Sequence, residues 1–405
     1  MREIGLLRNT IQEYDWGSTT AISELLGQAG QPDKPQAELW MGTHPKAPSE
    51  VLQDGVWKSL LELVEEHPDD ILGKQIARRF HNELPFLFKV LAAAKPLSIQ
   101  AHPNSEQARR GFMRENELGI PLKAPNRNYR DDNHKPEIIC ALTVFWALKG
   151  FREVREIIRL LDKIQSPGLA KALTFLRDQP NREGLKGFFR HLMTMEKGKQ
   201  NQIVEEAVGS AEKLVNGDGV WQWIVKLNLE YPGDIGVISA IFLNLIQLTP
   251  GQAMYLPAGE LHAYLEGVGI ELMANSDNVL RGGLTPKHVD VQELLNILNF
   301  AEGEVDILRP KELGSGEAVY ETGTSEFVLS TIKVSEGAPF KSSRNRSVEI
   351  MICTEGAARV TDLSNGEMTR LPKGGSVIVP AAVKQYNVEG DATLYKAAVP
   401  LEEVY

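Results

Sequence analysis

The sequence predicts a mainly β protein whose strands are interrupted by one long helical insertion. Short apolar stretches bounded by turn residues fill residues 1–150, which is typical of strands. Residues 151–231 instead carry apolar side chains at helical spacing, with charges on the opposite face. Strand periodicity then resumes at Gly236, and residues 247–268, QLTPGQAMYLPAGELHAYLEGV, form a strand–turn–strand pattern. The β regions therefore lie on both sides of a helical one.

The helical insertion begins with FREVREIIRLLDKI at Phe151, where Val154, Ile157 and Leu161 form one apolar stripe. Its length of about 80 residues lies within the usual range for a domain. Two roles are open for it, shielding of the β region and a direct part in chemistry. Further helices are predicted over Ala170–Arg177, Gly184–Met195, Gln202–Leu214 and Gly219–Leu229.

The length of 405 residues predicts two or three domains. A net charge of −10 argues against nucleic acid or an anionic membrane as the main partner. Two cysteines, Cys140 and Cys353, give neither a disulfide framework nor a cysteine-based zinc site. The N-terminus lacks the pattern of a signal peptide, and the longest apolar stretch, Ala141–Leu148, is too short to span a bilayer. We therefore expect a cytoplasmic protein with no membrane partner.

Polar side chains alternate along two predicted strands that precede the helical insertion. Successive strand residues point to opposite faces, so Ser98, Gln100 and His102 share one face. The same alternation places Lys135 and Glu137 together on the next strand. Gln100 and His102 are also compatible with a simple polar lining, and Glu137 with an ion pair to Lys135.

In residues 247–268 the turn is set by Gly251, Pro257 and Gly259, because glycine permits positive φ and proline fixes φ. His262 then enters the second strand. The spacing Gly-x5-Pro-x-Gly-x2-His resembles the second motif of the cupin superfamily, in which this histidine binds a metal at the mouth of a jelly-roll barrel. A weaker copy occurs near the C-terminus, with Gln385 at the histidine position.

These observations predict two cupin (jelly-roll) barrels plus an all-α domain. Residues 1–150 and 232–300 are expected to form a discontinuous catalytic, metal-binding domain, and residues 151–231 the helical domain. Residues 301–405, which contain the Gly374-x5-Pro380 copy, are expected to form a degenerate cupin domain without a metal site.

Four side chains are candidate metal ligands. Two imidazoles and a carboxylate suit a divalent ion such as zinc, and an incomplete shell of protein ligands leaves room for water or substrate. The candidates are Gln100, His102, Glu137 and His262.

Five longer motifs resemble those of the type I phosphomannose isomerase family, in the family's order and within residues 1–300. The resemblance implies a zinc-dependent aldose–ketose isomerase that binds one zinc ion per chain and interconverts mannose 6-phosphate and fructose 6-phosphate. It places the zinc ligands on the four candidates above, an essential arginine on Arg281, and pocket or phosphate-binding residues on Lys135, Glu271, Lys287, Lys89 and Ser98. The motifs are YDWGS (14–18), ELWMGTHP (38–45), LSIQAHP (97–103), NHKPE (133–137) and SDNVLRGGLTPK (276–287).

Isomerisation of this kind moves a proton between two sugar carbons, so it needs a base and a means to stabilise negative charge. Glu271 is the predicted base, with Lys135 as the alternative. Arg281 stays charged at any working pH and suits electrostatic stabilisation. Trp16 and Trp40 are candidates for a sugar-stacking face, although at least one of them is expected in the core.

The expected partner is a small sugar phosphate, with no nucleic acid. We expect a monomer, with a dimer formed through the C-terminal barrel as the alternative. Two other functions share this scaffold: a non-catalytic sugar-phosphate binding protein, and a metal-dependent cupin oxygenase. The oxygenase would typically need iron and three histidines, whereas this chain offers two well-placed histidines.

Overall fold

The computed structural model of the chain describes residues 1–30, 32–164, 166–215 and 219–401. The predicted fold class, mainly β with a helical insertion and cupin barrels, is confirmed. The strands of the first β region are β1 (Gly5–Arg8), β2 (Thr10–Gln12), β3 (Glu38–Gly42), β4 (Glu50–Gln53), β5 (Val56–Ser59), β6 (Phe86–Ala93), β7 (Ile99–Ala101), β8 (Glu137–Ala141), β9 (Phe145–Phe151), β10 (Leu243–Leu248), β11 (Ala253–Leu256), β12 (His262–Ala274) and β13 (Leu280–Gly283).

The long strand β12 organises the first barrel. Its first residue, His262, pairs with Gln100 of β7 and with β9, while its later residues pair with β6 and β8. β6 continues to β3 and β2, and β8 and β7 pair with β11 and β13 respectively. Because β12 pairs with β7 and β9 at its start and with β6 and β8 further along, His262 at its start and Glu271 near its end lie in the same barrel. The helices of this region are α1 (Ala21–Leu25), α2 (Leu60–Glu66), α3 (Pro68–Ile71), α4 (Lys74–Arg79) and α5 (Ser105–Glu117).

The helical insertion packs around a core of aromatic and aliphatic side chains that includes Phe188, Phe189 and Trp221, all buried. The predicted helices are present, with ends that differ by a few residues. Strands were expected to resume at Gly236, but residues 235–242 form a 3₁₀ turn and a short helix. A short apolar run without alternation does not separate a strand from a buried helix. The helices are α6 (Val154–Leu161), α7 (Ala170–Asp178), α8 (Arg182–Met193), α9 (Lys197–Leu214), α10 (Gly219–Glu230) and α11 (Ser239–Phe242), followed after β13 by α12 (Val291–Ile297).

The C-terminal region forms a second antiparallel sheet that also recruits strands from the N-terminus. β1 pairs with both β4 and a C-terminal strand, so residues 5–8 and 50–59 belong to this sheet. The three-domain division stays a prediction, and residues 402–405 of its last domain lie outside the described residues. The C-terminal strands are β14 (Lys311–Gly314), β15 (Glu317–Tyr320), β16 (Val328–Val334), β17 (Phe340–Lys341), β18 (Glu349–Asp362), β19 (Met368–Pro372), β20 (Ser376–Val379) and β21 (Tyr386–Ala398).

The turn repeat inferred from spacing is present in both barrels. Gly251 and Gly374 have positive φ angles of 83° and 78°, and each precedes a four-residue strand that ends before a proline. The long strands β12 and β21, of 13 residues each, follow these turns. His262 is the first residue of β12, as expected, whereas Gln385 immediately precedes β21.

None of the helices formed by the described residues is long and apolar enough to cross a lipid bilayer.

Candidate active site

A cavity of about 620 Å³ opens at one end of the first barrel. It is formed by side chains from β3, β6, β7, β8, β12 and β13, together with the turn at residues 13–16 and the end of the helical insertion at Tyr231. Eight of the ten residues predicted for the site line this cavity: Lys89, Ser98, Gln100, Lys135, Glu137, Glu271, Arg281 and Lys287.

The other two predicted residues, His102 and His262, are fully buried beside the cavity and form a cluster with Glu137. The potential ligand atoms of these three side chains lie within 4.8 Å of one another. His102 Nε2 is 3.2 Å from Glu137 Oε1, and His262 Nε2 is 3.5 Å from Oε2. The structure therefore brings together residues separated by 160 positions in the sequence.

The two imidazoles of this cluster are oriented for a metal ion. Nδ1 of His102 lies 2.7 Å from the carbonyl of Asn278, and Nδ1 of His262 lies 2.8 Å from the carbonyl of Glu260. A carbonyl only accepts, so Nδ1 carries the proton and Nε2 keeps its lone pair. Both Nε2 atoms are buried without a hydrogen-bond partner among the described residues. Two buried lone pairs beside a carboxylate fit a divalent ion.

Gln100 lies next to this cluster, but its amide remains partly exposed in the cavity. Its backbone pairs with His262 on one side and with Arg281 on the other. A fourth ligand at this position would face the open cavity.

Lys135 pairs with Glu137, with 2.9 Å between Nζ and Oε1. The ion pair with Lys135 and the close approach to two histidines, which were alternatives for Glu137, thus occur together. Burial alone would raise the pKa of Glu137, but the Lys135 ammonium and His102 outweigh it and hold this pKa well below its usual value. Burial and the Lys135 charge lower the pKa of His102 to about 4. A neutral imidazole beside an ionised carboxylate is the protonation state that metal binding requires.

Two further carboxylates of the cavity, Glu38 and Glu271, are both paired with the buried Lys89. Lys89 Nζ lies 2.7 Å from Glu271 Oε2 and 3.4 Å from Glu38 Oε1. Burial would lower the pKa of Lys89, but these two carboxylates raise it above its usual value. For Glu271, burial raises the pKa and the Lys89 charge opposes this only in part. The predicted phosphate contact of Lys89 stays a prediction, and its ammonium is already paired twice.

Three cationic side chains lie together near β13. Burial and the charge of Arg130 lower the pKa of Arg281, and burial with the charges of Arg281 and Arg130 lowers that of Lys287. Arg281 and Lys287 line the cavity, and neither side chain forms a hydrogen bond or an ion pair within the described ranges. Ser98 lines the same cavity. This group of unpaired cations is the natural place for an anionic substituent.

Sequence reasoning missed two residues that border the acidic groups of the site. Tyr264 is buried, with its hydroxyl 3.4 Å from Glu137, and it follows His262 by two positions on the same strand face. Glu38 lines the cavity and accepts a hydrogen bond from the Trp40 indole at 2.8 Å. Alternation along β12 and β3 was the available signal. Of the two candidate stacking residues, Trp16 lines the cavity, while Trp40 is buried in the core.

The second barrel has carboxylates at positions equivalent to those of the first barrel. Glu137 lies opposite Leu256, just before Pro257, and Glu349 lies opposite Val379, just before Pro380. Both carboxylates therefore occupy the first position of equivalent strands, β8 and β18.

Two further positions of the second barrel extend this equivalence. Lys396 takes the register position of Glu271, and Glu317 that of Glu38. Glu349 is bonded by Arg346 at 2.9 Å and Lys396 at 3.3 Å. Two cations thus face the carboxylate that corresponds to the predicted ligand.

Family models match the chain in three segments. The model described as phosphomannose isomerase type I, catalytic domain, matches residues 5–154, and the helical insertion domain of the same family matches residues 160–243. The model described as mannose-6-phosphate isomerase, cupin domain, matches residues 317–399.

Named relatives and solved structures agree with these matches. The chain is 40% identical over 393 residues to mannose-6-phosphate isomerase from Escherichia coli K12, covering 96% of this chain and 97% of the relative. It is 39% identical over 314 residues to the human mannose-6-phosphate isomerase, covering 72% and 71%. A variant of phosphomannose isomerase from Salmonella typhimurium superposes with a TM-score of 0.92 at 37% identity, over 98% of this chain and 100% of that one. A zinc-bound mannose 6-phosphate isomerase gives 0.89 at 37% identity over the same shares.

Proposed function

The chain belongs to the type I phosphomannose isomerase family, as its motifs predicted, and we propose that it interconverts mannose 6-phosphate and fructose 6-phosphate through a cis-enediol(ate). The observation that carries this proposal is the joint placement of a His–Glu–His cluster and two unpaired cations, Arg281 and Lys287, around one cavity. A site for an uncharged sugar would not need the cations. A site that only binds phosphate would not need the His–Glu–His cluster.

His102, Glu137 and His262, with Gln100 completing the set, are proposed to hold one zinc ion. The orphaned Nε2 atoms and the carboxylate support these assignments, and a solved relative contains zinc. When bound, zinc supplies Lewis-acid stabilisation of negative charge on the sugar oxygens.

The phosphate group is proposed to lie against Lys287 and Ser98, with Arg281 between this group and the reacting carbons. Cations without partners attract a dianion more strongly than paired ones, because no existing ion pair has to be broken. Lys89 is proposed to contribute indirectly, through its ion pair with Glu271. Arg281 would stabilise the charge that develops on the enediolate.

Glu271 is proposed to remove the proton from C2 of mannose 6-phosphate and return it to C1. The hydroxyl proton on O2 transfers to O1 in the same sequence, so no atoms are gained or lost. A buried carboxylate with a raised pKa is a stronger base than an exposed one. Lys135 remains the alternative base, since it too lines the cavity.

Metal removal combined with a coupled assay tests this function. Chelation of the purified protein should abolish conversion of mannose 6-phosphate, and one equivalent of zinc should restore it, while glucose 6-phosphate should not be converted. Full activity in a metal-free preparation would overturn the metal-dependent mechanism. Stoichiometric binding of mannose 6-phosphate without turnover would instead favour a non-catalytic binding protein.

A further inference from the structure

The carboxylate of Asp234 lies in residues 231–236, hereafter the exit segment, which follow the last helix of the helical insertion. It connects this segment to the one that carries two of the cavity's cations. Its Oδ1 accepts hydrogen bonds from Gly236 N at 2.7 Å and Leu284 N at 3.0 Å, and its Oδ2 accepts one from Thr285 N at 3.2 Å. Two of these three donors are about 50 residues away in sequence. They belong to residues 281–287, hereafter the cation loop, which begins with Arg281 and ends with Lys287.

The cation loop adopts a backbone conformation that needs outside support. Leu284, which is fully buried, has a φ of 52°, and Gly283 has a φ of 130°. The left-handed region is unfavourable for a leucine, because its Cβ approaches the following carbonyl. The loop also passes close to the exit segment, since a Cβ added to Gly236 would lie 2.7 Å from Leu284 N. Three bonds to one carboxylate hold this arrangement.

The exit segment around Asp234 is itself fixed to both neighbouring regions. On the helical side, Lys197 Nζ donates to the carbonyl of Gly233 at 3.1 Å. On the barrel side, the Tyr231 hydroxyl donates to the carbonyl of Pro96 at 2.7 Å, just before β7. β7 pairs with β13, where Gln100 lies opposite Arg281. One short segment thus fixes the ends of both strands that present these residues.

We propose that Asp234 is a positioning residue that holds Arg281 and Lys287 in place for the substrate phosphate and the developing charge. The inference rests on the proposed function and deepens it. It links the helical insertion to the site indirectly, because the residue that fixes the cation loop lies just after the last helix of residues 151–231. The Asp234 carboxylate does not line the cavity.

The test compares four variants for steady-state kinetics, zinc content, thermal stability and the dissociation constant of inorganic phosphate measured by calorimetry. Asp234→Ala removes both acceptor oxygens and with them all three hydrogen bonds. Asp234→Asn keeps an oxygen for Gly236 and Leu284 but places an amide against the Thr285 N–H. Asn181→Ala is the matched control, since Asn181 caps α8 through Glu183 N and Gly184 N, away from the cation loop. Arg281→Ala shows how far KM and the phosphate dissociation constant change when one cation of the loop is removed altogether.

For Asp234→Ala we expect zinc near one per chain, with KM for mannose 6-phosphate and the phosphate dissociation constant each raised about tenfold. Asp234→Asn should recover part of this loss, and Asn181→Ala should change stability without changing either constant. Phosphate affinity within twofold of the parent protein in both Asp234 variants overturns the proposal, and so does an equal change in Asn181→Ala. If Asp234→Ala does not fold, Asp234→Asn decides.

Phosphate binding requires no turnover, so this readout separates two possible failures. A parent protein that binds phosphate but does not convert mannose 6-phosphate contradicts the proposed function. The effect of Asp234 on phosphate affinity is still measured in that case.

Discussion

At the scale of single residues, the site depends on which charged groups already have partners. Lys89 is held between Glu38 and Glu271, whereas Arg281 and Lys287 have no ion-pair partner among the described residues. A buried lysine in an ion pair shifts the pKa of its carboxylate partner, whereas an unpaired cation is free to attract an anion. Residues of like charge within one cavity therefore have different proposed roles.

The proposed base can be tested by its pH dependence. A base acts in its ionised form, so kcat/KM should fall as the pH decreases through the pKa of Glu271. Because burial raises this pKa above its usual value of 4.5, the fall should begin at a higher pH than for an exposed glutamate. Glu271→Gln should lower kcat roughly 100- to 10,000-fold with zinc retained.

Lys135→Met separates the two candidate bases. If Glu271 is the base, the acidic limb of the pH–rate profile survives in this variant. Residual turnover above a tenth of the parent value in Glu271→Gln, with activity abolished in Lys135→Met, would assign the base to Lys135.

At the scale of elements, the turn between β11 and β12 connects two of the predicted metal ligands. Gly259 has a φ of 77°, its N–H donates to the carbonyl of His102 at 2.8 Å, and its carbonyl accepts from Asn299 N at 2.9 Å. The turn thus joins one predicted ligand to the start of the strand that carries another, His262. A Cβ at Gly259 would lie 2.7 Å from the carbonyl oxygen of Ile297.

Gly259→Ala should weaken zinc binding roughly 10- to 100-fold, because the turn must shift and move both histidines. Gly251→Ala is the matched control. Gly251 has a similar φ of 83°, but an added Cβ would meet nothing within 4 Å. The control should lose about 1–2 kcal/mol of stability and keep its zinc. Competition with a chromogenic chelator measures both affinities, and equal zinc affinity in the two variants would contradict the role of the turn.

At the scale of the whole molecule, the two barrels are joined by sheet pairing as well as by the chain. β1 pairs with β20 of the C-terminal sheet, and the Cys140 thiol of the first barrel contacts the Tyr320 hydroxyl at 3.1 Å. The second barrel carries a buried charge cluster in which Lys396 contacts Glu317 at 2.6 Å and Glu349 at 3.3 Å. This cluster is proposed to stabilise the fold without entering the chemistry.

Lys396→Met should therefore lower the free energy of unfolding by about 3–5 kcal/mol, since Glu317 loses its ion-pair partner and Glu349 keeps only Arg346 among the described residues. Zinc content and kcat at 25 °C should stay at the parent values. The double variant Lys396→Met/Glu317→Gln should recover part of the stability, because it removes the unpaired charge as well. Denaturant unfolding measures the stabilities. A fall in kcat in Lys396→Met would contradict the proposal and show that the second barrel contributes to catalysis.

The sequence by itself determined the elements and the types of chemistry. Turn residues such as Gly251 and Pro257, strand alternation and the helical stripe at Val154 are local signals, so each could be interpreted without the rest of the chain. The same signals identified His262 as a candidate ligand, and the longer motifs identified the family. The predicted fold class was confirmed because backbone geometry near a residue depends mainly on its neighbours in sequence, whereas the ligand role of His262 stays a prediction.

Only the tertiary structure decided which distant groups meet. The pairing of Lys89 with Glu271, the contact of Asp234 with Leu284 and the addition of β1 to the C-terminal sheet each join residues far apart in the chain. No local pattern encodes such partners, because hydrogen bonds and ion pairs depend on distance in space. Desolvation and neighbouring charge, which set the pKa of Glu271, depend on that same packing.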